Sequence, residues 1–166
     1  IAIATSIFRP GPLALKVDRK FLKNRENPES VVYKHPLLKG VYADTSGLLI
    51  FQEQLMTTYN KLCGVPLADT DKVRKAFTKK EINNKEKAAK DREELRGTFQ
   101  KLSKDYSGLS EKDSGELFDE MEKLVAYSFN LSHALAYAIT SYQCAWFQTY
   151  FPDEWATTYL DYCAIS

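Results

Sequence analysis

The 166-residue chain carries 23 Lys and Arg residues against 22 Asp and Glu residues, so its formal net charge is only +1 at pH 7. The content of 44% apolar and 27% charged residues is ordinary for a globular protein and predicts a single domain over residues 1–166. No apolar run approaches the roughly 18 residues of a membrane span, and no charged segment precedes an apolar run at the start. We therefore expect a cytoplasmic protein without a membrane segment.

The cysteines and histidines do not indicate a metal site or a disulfide framework. Cys63, Cys144 and Cys163 are odd in number and far apart, and no Cys-x-x-Cys spacing occurs. His35 and His133 are also widely separated, and neither has a second ligand-type residue at metal spacing. The sequence therefore predicts no metal site held by this chain alone.

The first part of the chain is rich in turn signals. The structure type of residues 1–8 is left open by their mixture of Ile and small residues. The RPGP sequence at 9–12 predicts a rigid turn through which no helix continues. Residues 13–23 fit a short amphipathic helix with a basic outer face. The Pro, Gly and Asn content of residues 24–47 is typical of loops, and the apolar run 48–51 fits one short strand.

Two helices are predicted in the middle of the chain. Residues 52–63 have an apolar face at helical spacing, and Gly64 follows as the residue that ends the helix. Asp69 or Thr70 is expected to cap the next helix. The basic side chains of that helix cannot all join its apolar face, so part of the cluster points outward, where a polyanion could reach it. The cluster consists of Arg74, Lys75, Lys79 and Lys80.

Three further elements complete a mainly α prediction. Residues 81–102 are charged nearly all round and predict an exposed helix interrupted near Gly97, followed by a loop at 104–110. Ser110 is expected to cap a helix with a clean apolar face, and Pro152 to begin the last helix. The predicted fold is a multi-helix domain with at most one or two short strands. In the last helix, the residues expected to anchor it to the core are Trp155, Tyr159 and Tyr162.

The stretch 127–151 has no Gly or Pro and predicts one helix of about five turns with Ser132 as its N-cap. Its core stripe is expected to contain Leu135, Ile139, Tyr142 and Trp146. The opposite side is polar and aromatic. A helix N-terminus favours phosphate because it carries partial positive charge and unpaired N–H groups. Asn130, Ser132 and His133 would add donors, and Tyr137 could stack under a base. The alternative is that His133 and Tyr137 are partly buried and satisfied by neighbouring carbonyl groups.

No motif of an isolated hydrolase occurs, because GxSxG, HExxH and a Gly-rich phosphate loop are all missing from the sequence. Six other motifs do occur: FRPGPL at 8–13, FQEQLM at 51–56, VRKAFTKK at 73–80, FDEME at 118–122, YSFNLSH at 127–133, and the aromatic run at 136–152. Their order and spacing resemble the fingers region of the bacterial-type C-family replicative DNA polymerase, the DNA polymerase III alpha subunit.

The resemblance implies a fingers domain that binds the triphosphate of an incoming dNTP and the nascent base pair during template-directed synthesis on primer–template DNA. The residues it implies for dNTP binding are Arg74, Lys75, Lys79, Lys80, Asn130, Ser132, His133 and Tyr137. Supporting residues that hold the cleft would be Arg9, Gln52, Glu53 and Gln54, for which a purely structural role is an equal alternative.

The resemblance also implies that the chain is a fragment. The family's catalytic carboxylates bind Mg²⁺ and lie in the palm, upstream of the RPGP turn and hence before Ile1. We therefore expect this fragment to be inactive by itself, with Mg²⁺ bound by the intact enzyme and the remaining polymerase domains as partners.

Four positions depart from the family's usual residues. Lys75 stands in place of a second Arg, Ser128 in place of Gly, and Leu131 and Gln148 in place of Lys. Lysine lacks the bidentate fork of arginine, and two cations are lost, so we expect weaker triphosphate binding. These departures indicate a distant member of the family, for which a phage origin is a hypothesis. Two alternatives stay open: a non-catalytic helical nucleic-acid-binding module, and a helical interaction domain whose basic runs are solvated faces.

Overall fold

The computed structural model describes residues 1–78 and 85–165. This part of the chain contains ten α-helices. They are α1 (Ala2–Ile7), α2 (Pro10–Ala14), α3 (Val17–Glu26), α4 (Lys39–Tyr42), α5 (Gln52–Cys63), α6 (Leu67–Thr78), α7 (Lys85–Ser107), α8 (Glu111–Val125), α9 (Leu131–Tyr150) and α10 (Pro152–Ile165). In place of strands, the described residues contain one isolated parallel bridge between Phe51 and Phe129. The mainly α prediction is therefore confirmed.

The RPGP segment begins a helix, so the predicted turn was wrong. Arg9 is extended, with φ −136° and ψ 153°, and Pro10 takes the first position of α2. Proline is tolerated there because the first N–H groups of a helix have no intrahelical partner. The next helix, α3, begins at Val17, after Lys16 in the left-handed region at φ 55°. The single helix predicted over 13–23 is thus divided between α2 and α3.

The larger apolar core surrounds α5, whose Leu55 and Leu62 are fully buried. This helix packs against α6, α7 and α8. Four aromatic rings fill the space between them, with neighbouring centroids 4.9 to 6.1 Å apart. They belong to Tyr59, Phe77, Phe99 and Phe118. The predicted apolar faces of α5 and α8 are confirmed, because both face this core.

The predicted helix ends and caps of α5 to α8 are partly confirmed and partly wrong. Gly64 ends α5 at φ 66°, and the Ser110 hydroxyl accepts a bond from the Asp113 N–H at 3.0 Å, as predicted. α6, however, begins at Leu67, so neither residue proposed as its cap is correct. α7 passes Gly97 without interruption and continues to Ser107. The packing of α7 on α5 and α8 outweighs the cost of about 1 kcal/mol for a helical glycine.

A second, smaller apolar cluster joins α1, α3 and the start of α9. The segment 48–51 runs between the two clusters. Leu49 faces the larger one, whereas Leu48 and Ile50 face the smaller one. All four residues of the segment are buried, which explains why its apolar character is continuous and does not alternate.

The late helices α9 and α10 contradict the predicted core stripe. Of α9, Ala134 is buried, whereas the four stripe residues are 42 to 63% exposed. α9 packs against α1 at its start and against α10 further along. Tyr159 and Tyr162 of α10 are also exposed, so they do not anchor that helix to the core, although Trp155 is half-buried. The spacing of apolar residues in α9 identified an apolar face but not whether another element packs against that face.

Candidate functional site

Residues 127–130, which connect α8 to α9, are held in place by backbone bonds. The Phe129 N–H donates to the Ile50 carbonyl at 2.9 Å, and the Gln52 N–H donates to the Phe129 carbonyl at 3.0 Å. These two bonds form the isolated parallel bridge. They attach the start of α9 to the start of α5.

Arg9 fixes the same connection from the other side. Its Nη2 donates to the Tyr127 carbonyl at 2.6 Å, and its Nε donates to the Ser6 carbonyl at 2.9 Å. Its guanidinium carbon lies 4.6 Å from the centroid of the Phe129 ring, which is a cation–π contact. Arg9 therefore contacts the connection twice, at Tyr127 and Phe129, and links it to α1 through Ser6. That it supports a nucleotide site stays a prediction.

Asn130, and not Ser132, is the N-cap of α9. Its Oδ1 accepts from the His133 N–H at 2.9 Å, and the helix begins at Leu131. Ser132 is therefore the second helical residue, with an exposed side chain. Both residue types are good caps. A local pattern could not choose between them, whereas the structure shows that Asn130 also contacts a residue far away in the sequence.

That distant residue is Glu53, in the first turn of α5. Its Oε1 and Oε2 accept from the Leu131 N–H at 3.1 and 3.0 Å, and Oε1 also accepts from Asn130 Nδ2 at 3.0 Å. A carboxylate of the chain itself thus lies at the helix end for which phosphate was predicted. The N–H groups of Leu131 and His133 already have partners within the chain. The predicted phosphate contacts at this position are therefore limited to the side chains of Ser132 and His133.

His133 and Tyr137 are both exposed, and Tyr137 retains 59% of its accessible surface. The alternative that they are partly buried residues is therefore wrong. The His133 ring lies 5.2 Å from the Phe129 ring and 4.6 Å from the Tyr137 ring, measured between centroids. The three side chains form an aromatic row that leads from the connection onto the outer surface of α9.

The cations of α6 share one carboxylate. Arg74 Nε donates to Asp71 Oδ1, and Lys75 Nζ contacts Asp71 Oδ2, each at 2.8 Å. Hydrogen bonds from Lys75 and then Arg74 hold the pKa of Asp71 below its usual range. The prediction missed this acid, although its spacing of three and four residues from the cations was a clear signal. Lys79 and Lys80 lie outside the described residues.

Gln54 has a structural role. Its Oε1 accepts from the Ile50 and Phe51 N–H groups at 2.8 and 2.9 Å, and its Nε2 donates to Thr45 Oγ1 at 2.7 Å and to the Val41 carbonyl at 3.1 Å. The side chain is buried. Of the four supporting residues, Gln54 therefore holds the entry to α5, Gln52 contributes its backbone N–H, and Arg9 and Glu53 contact the connection to α9.

The structure thus forms two groups of candidate residues. One group lies at the start of α9 and consists of Asn130, Ser132, His133 and Tyr137. The other group lies on α6 and consists of Arg74 and Lys75. Both groups adjoin α5, because α6 packs along this helix and Glu53 of its first turn contacts α9. That the two groups face one cleft stays a prediction.

Comparison with known proteins identifies the family. Residues 1–102 match the family model of the bacterial DNA polymerase III alpha subunit finger domain. The chain belongs to this family. The match to this finger domain extends from α1 into α7 and confirms the resemblance that the ordered motifs indicated.

Relatives of the finger domain extend the similarity beyond that range. Each of the following is named DNA polymerase III subunit alpha. The protein of Buchnera aphidicola subsp. Acyrthosiphon pisum (strain APS) is 34% identical over 154 residues, which are 90% of this chain and 13% of the relative. That of Neisseria meningitidis serogroup A is 38% identical over 149 residues, 90% of this chain and 12% of the relative. That of Chlamydia pneumoniae is 32% identical over 155 residues, 93% of this chain and 12% of the relative. The finger domain therefore spans about an eighth of these bacterial proteins, and a phage origin stays a hypothesis.

The described residues contain neither a cluster of metal ligands nor a helix suited to a membrane. Within residues 1–78 and 85–165, no three His, Cys, Asp or Glu side chains come together as a metal-binding group. Across the same described ranges, no helix is both long and apolar enough to cross a membrane.

Proposed function

We propose that this finger domain binds the triphosphate of an incoming dNTP and packs against the nascent base pair during template-directed DNA synthesis. The observation that supports this proposal best is the aromatic row at the start of α9, in which Phe129 is partly buried and His133 and Tyr137 are exposed. Tyr137 offers a ring face for a base, and the His133 and Ser132 side chains offer donors one turn away.

The α6 cations would bind the β- and γ-phosphates. Arg74 and Lys75 share Asp71, whose side chain is 41% exposed, so a triphosphate with several negative charges can compete for both cations. Lys79 or Lys80 would support them. Cationic charge at this position stabilises the negative charge that moves onto the pyrophosphate leaving group, which is an electrostatic and positioning contribution.

The proposal extends to the longer protein. Primer–template DNA and the remaining domains of the polymerase would be partners, and nucleotidyl transfer would need all of them. The described residues do not fit a Mg²⁺ site, because no three candidate ligands meet. The resemblance to the family supports the proposal that carboxylates outside this chain would hold Mg²⁺ and that this chain alone would be inactive.

Calorimetric titration of the 166-residue chain with dATP tests the proposal. Tyr137→Ala should weaken dATP binding about tenfold, because stacking on one ring is worth about 1–3 kcal/mol. Tyr159→Ala is a matched control, since both tyrosines are 59% exposed on neighbouring helices. Equal effects of the two substitutions would contradict the proposal. Salt-sensitive binding of duplex DNA without any dATP binding would favour the non-catalytic nucleic-acid-binding module instead.

A further inference from the structure

We propose that Glu53 is a positioning residue, which locks the start of α9 onto α5 and so fixes the directions of the His133 and Tyr137 side chains. The proposal deepens the proposed function, on which it rests for what those two side chains bind. The lock itself is a property of this chain and can be tested without a nucleotide.

The first argument is a continuous path of hydrogen bonds. The Glu53 carboxylate accepts from Asn130 Nδ2 at 3.0 Å, and Asn130 Oδ1 accepts from the His133 N–H at 2.9 Å. A flipped Asn130 amide would turn its oxygen toward the carboxylate and its NH₂ group toward the His133 N–H. Both contacts would then be repulsive. Glu53 therefore decides which way Asn130 points, and Asn130 caps the helix only in that orientation.

The second argument is electrostatic. Glu53 lies in the first turn of α5 and also contacts the first residue of α9. Each helix N-terminus carries about half a positive charge, so the two ends would repel each other if no anion lay near them. One carboxylate serves both ends. Because the Glu53 carboxylate already accepts from the Leu131 N–H, a phosphate is directed to Ser132 and His133, whose side chains are exposed.

The aromatic row is connected to these hydrogen bonds through His133. His133 is the third residue of α9, and its backbone N–H is the group that Asn130 caps. Its ring contacts Phe129 on one side and Tyr137 on the other. Loss of the cap would let the first turn of α9 fray, and both side chains of the row beyond Phe129 would lose their fixed directions.

The test compares Glu53→Gln with Glu111→Gln in the 166-residue chain. Glu111 is a matched control because it lies in the first turn of α8, so both substitutions remove one charge from a helix start. Only Glu53 also contacts α9. Amide hydrogen exchange should become about tenfold faster at Leu131 and His133 in Glu53→Gln, because the acceptor loses its charge and the amide can serve only one of the two donors well. Exchange at both amides should be unchanged in Glu111→Gln. Unchanged exchange in Glu53→Gln would overturn the proposal.

A charge swap provides the rescue. Asn130→Asp alone places two carboxylates in contact and should also speed exchange at Leu131. In Glu53→Gln combined with Asn130→Asp, the new amide NH₂ can donate to the new carboxylate, and the amide oxygen can accept from Leu131. Aspartate is as good an N-cap as asparagine. The double variant should therefore restore slow exchange, and a double variant that exchanges as fast as Glu53→Gln would count against the lock.

Titration with dATP connects the lock to the nucleotide site. Glu53→Gln should bind dATP several-fold more weakly, and the double variant should recover, although Ser132, His133 and Tyr137 are intact in both. Full dATP affinity in Glu53→Gln together with faster exchange would refute the positioning role. If the wild-type chain failed to bind dATP, the proposed function would be refuted, and the exchange data would still decide whether the lock exists.

Discussion

Replacing Gly11 by alanine should destabilise the domain, because this glycine lies against the ring of Tyr127. A Cβ atom at Gly11 would lie 2.1 Å from Cδ1 and 2.4 Å from Cε1 of that ring, whereas ordinary contacts begin at 3.4 Å. The clash can be relieved only if the Tyr127 ring leaves its rotamer or residue 127 shifts, and the carbonyl of that residue accepts the bond from Arg9. Overpacking of this kind costs about 1–3 kcal/mol, so the free energy of unfolding should fall by that amount.

The same substitution at Gly97 should have the opposite sign. Gly97 is also helical, and nothing lies within 4 Å of a Cβ atom added there. Alanine should stabilise α7 by about 0.5–1 kcal/mol, since glycine is a poor helix former. Urea denaturation followed by circular dichroism measures both variants. Tyr127→Ala should abolish the cost of Gly11→Ala, because the clash is removed. A Gly11→Ala variant as stable as Gly97→Ala would refute this reasoning.

Three further predictions concern side chains with unusual surroundings. Burial raises the pKa of Cys63 to about 12, so an alkylating reagent at pH 8 should modify exposed Cys163 and leave Cys63 intact until urea is added. Lys75→Ala should raise the pKa of Asp71, measured by NMR titration. Because the pKa of Asp71 is depressed in the folded state, the ionised carboxylate stabilises the fold at neutral pH, and this stabilisation is lost as the pH falls through that pKa. The acid-induced decrease in stability should be smaller in Lys75→Ala. The buried hydroxyl of Tyr59 has no partner among the described residues, so Tyr59→Phe should raise the free energy of unfolding by about 1 kcal/mol. A lower melting temperature of the variant would show that the hydroxyl forms a hydrogen bond.

Features set by neighbouring residues were predictable from the sequence. The apolar face of α5, its end at Gly64, the Ser110 cap and the start of α10 at Pro152 all depend on residues within two turns of one another. Their physical causes act over the same distance, through capping bonds and the period of the helix. Such features could be read without knowledge of the fold.

Features set by distant packing were not predictable in the same way. Asn130 caps α9 in preference to Ser132 because Glu53, from another helix, holds it. α7 continues through Gly97 because its far end packs on α5 and α8, where Phe99 is fully buried. For α9, the pattern located an apolar stripe, but the partner that covers such a stripe is not encoded in its period.

The candidate site shows the same division. The motifs selected Glu53 and the residues at the start of α9 and on α6. The structure added Asp71 and showed which groups Glu53 contacts. Asp71 could have been found from its spacing to Arg74 and Lys75. The contact of Glu53 with Leu131 spans 78 positions in the sequence and could not.

We propose that α6 and the start of α9 bind the same triphosphate, which NMR titration of the ¹⁵N-labelled chain with dATP can test. We expect saturable chemical-shift changes together at Arg74, Lys75, Ser132 and His133, with one dissociation constant for both groups. Shift changes confined to the basic residues of α3, or different dissociation constants for α6 and α9, would contradict it.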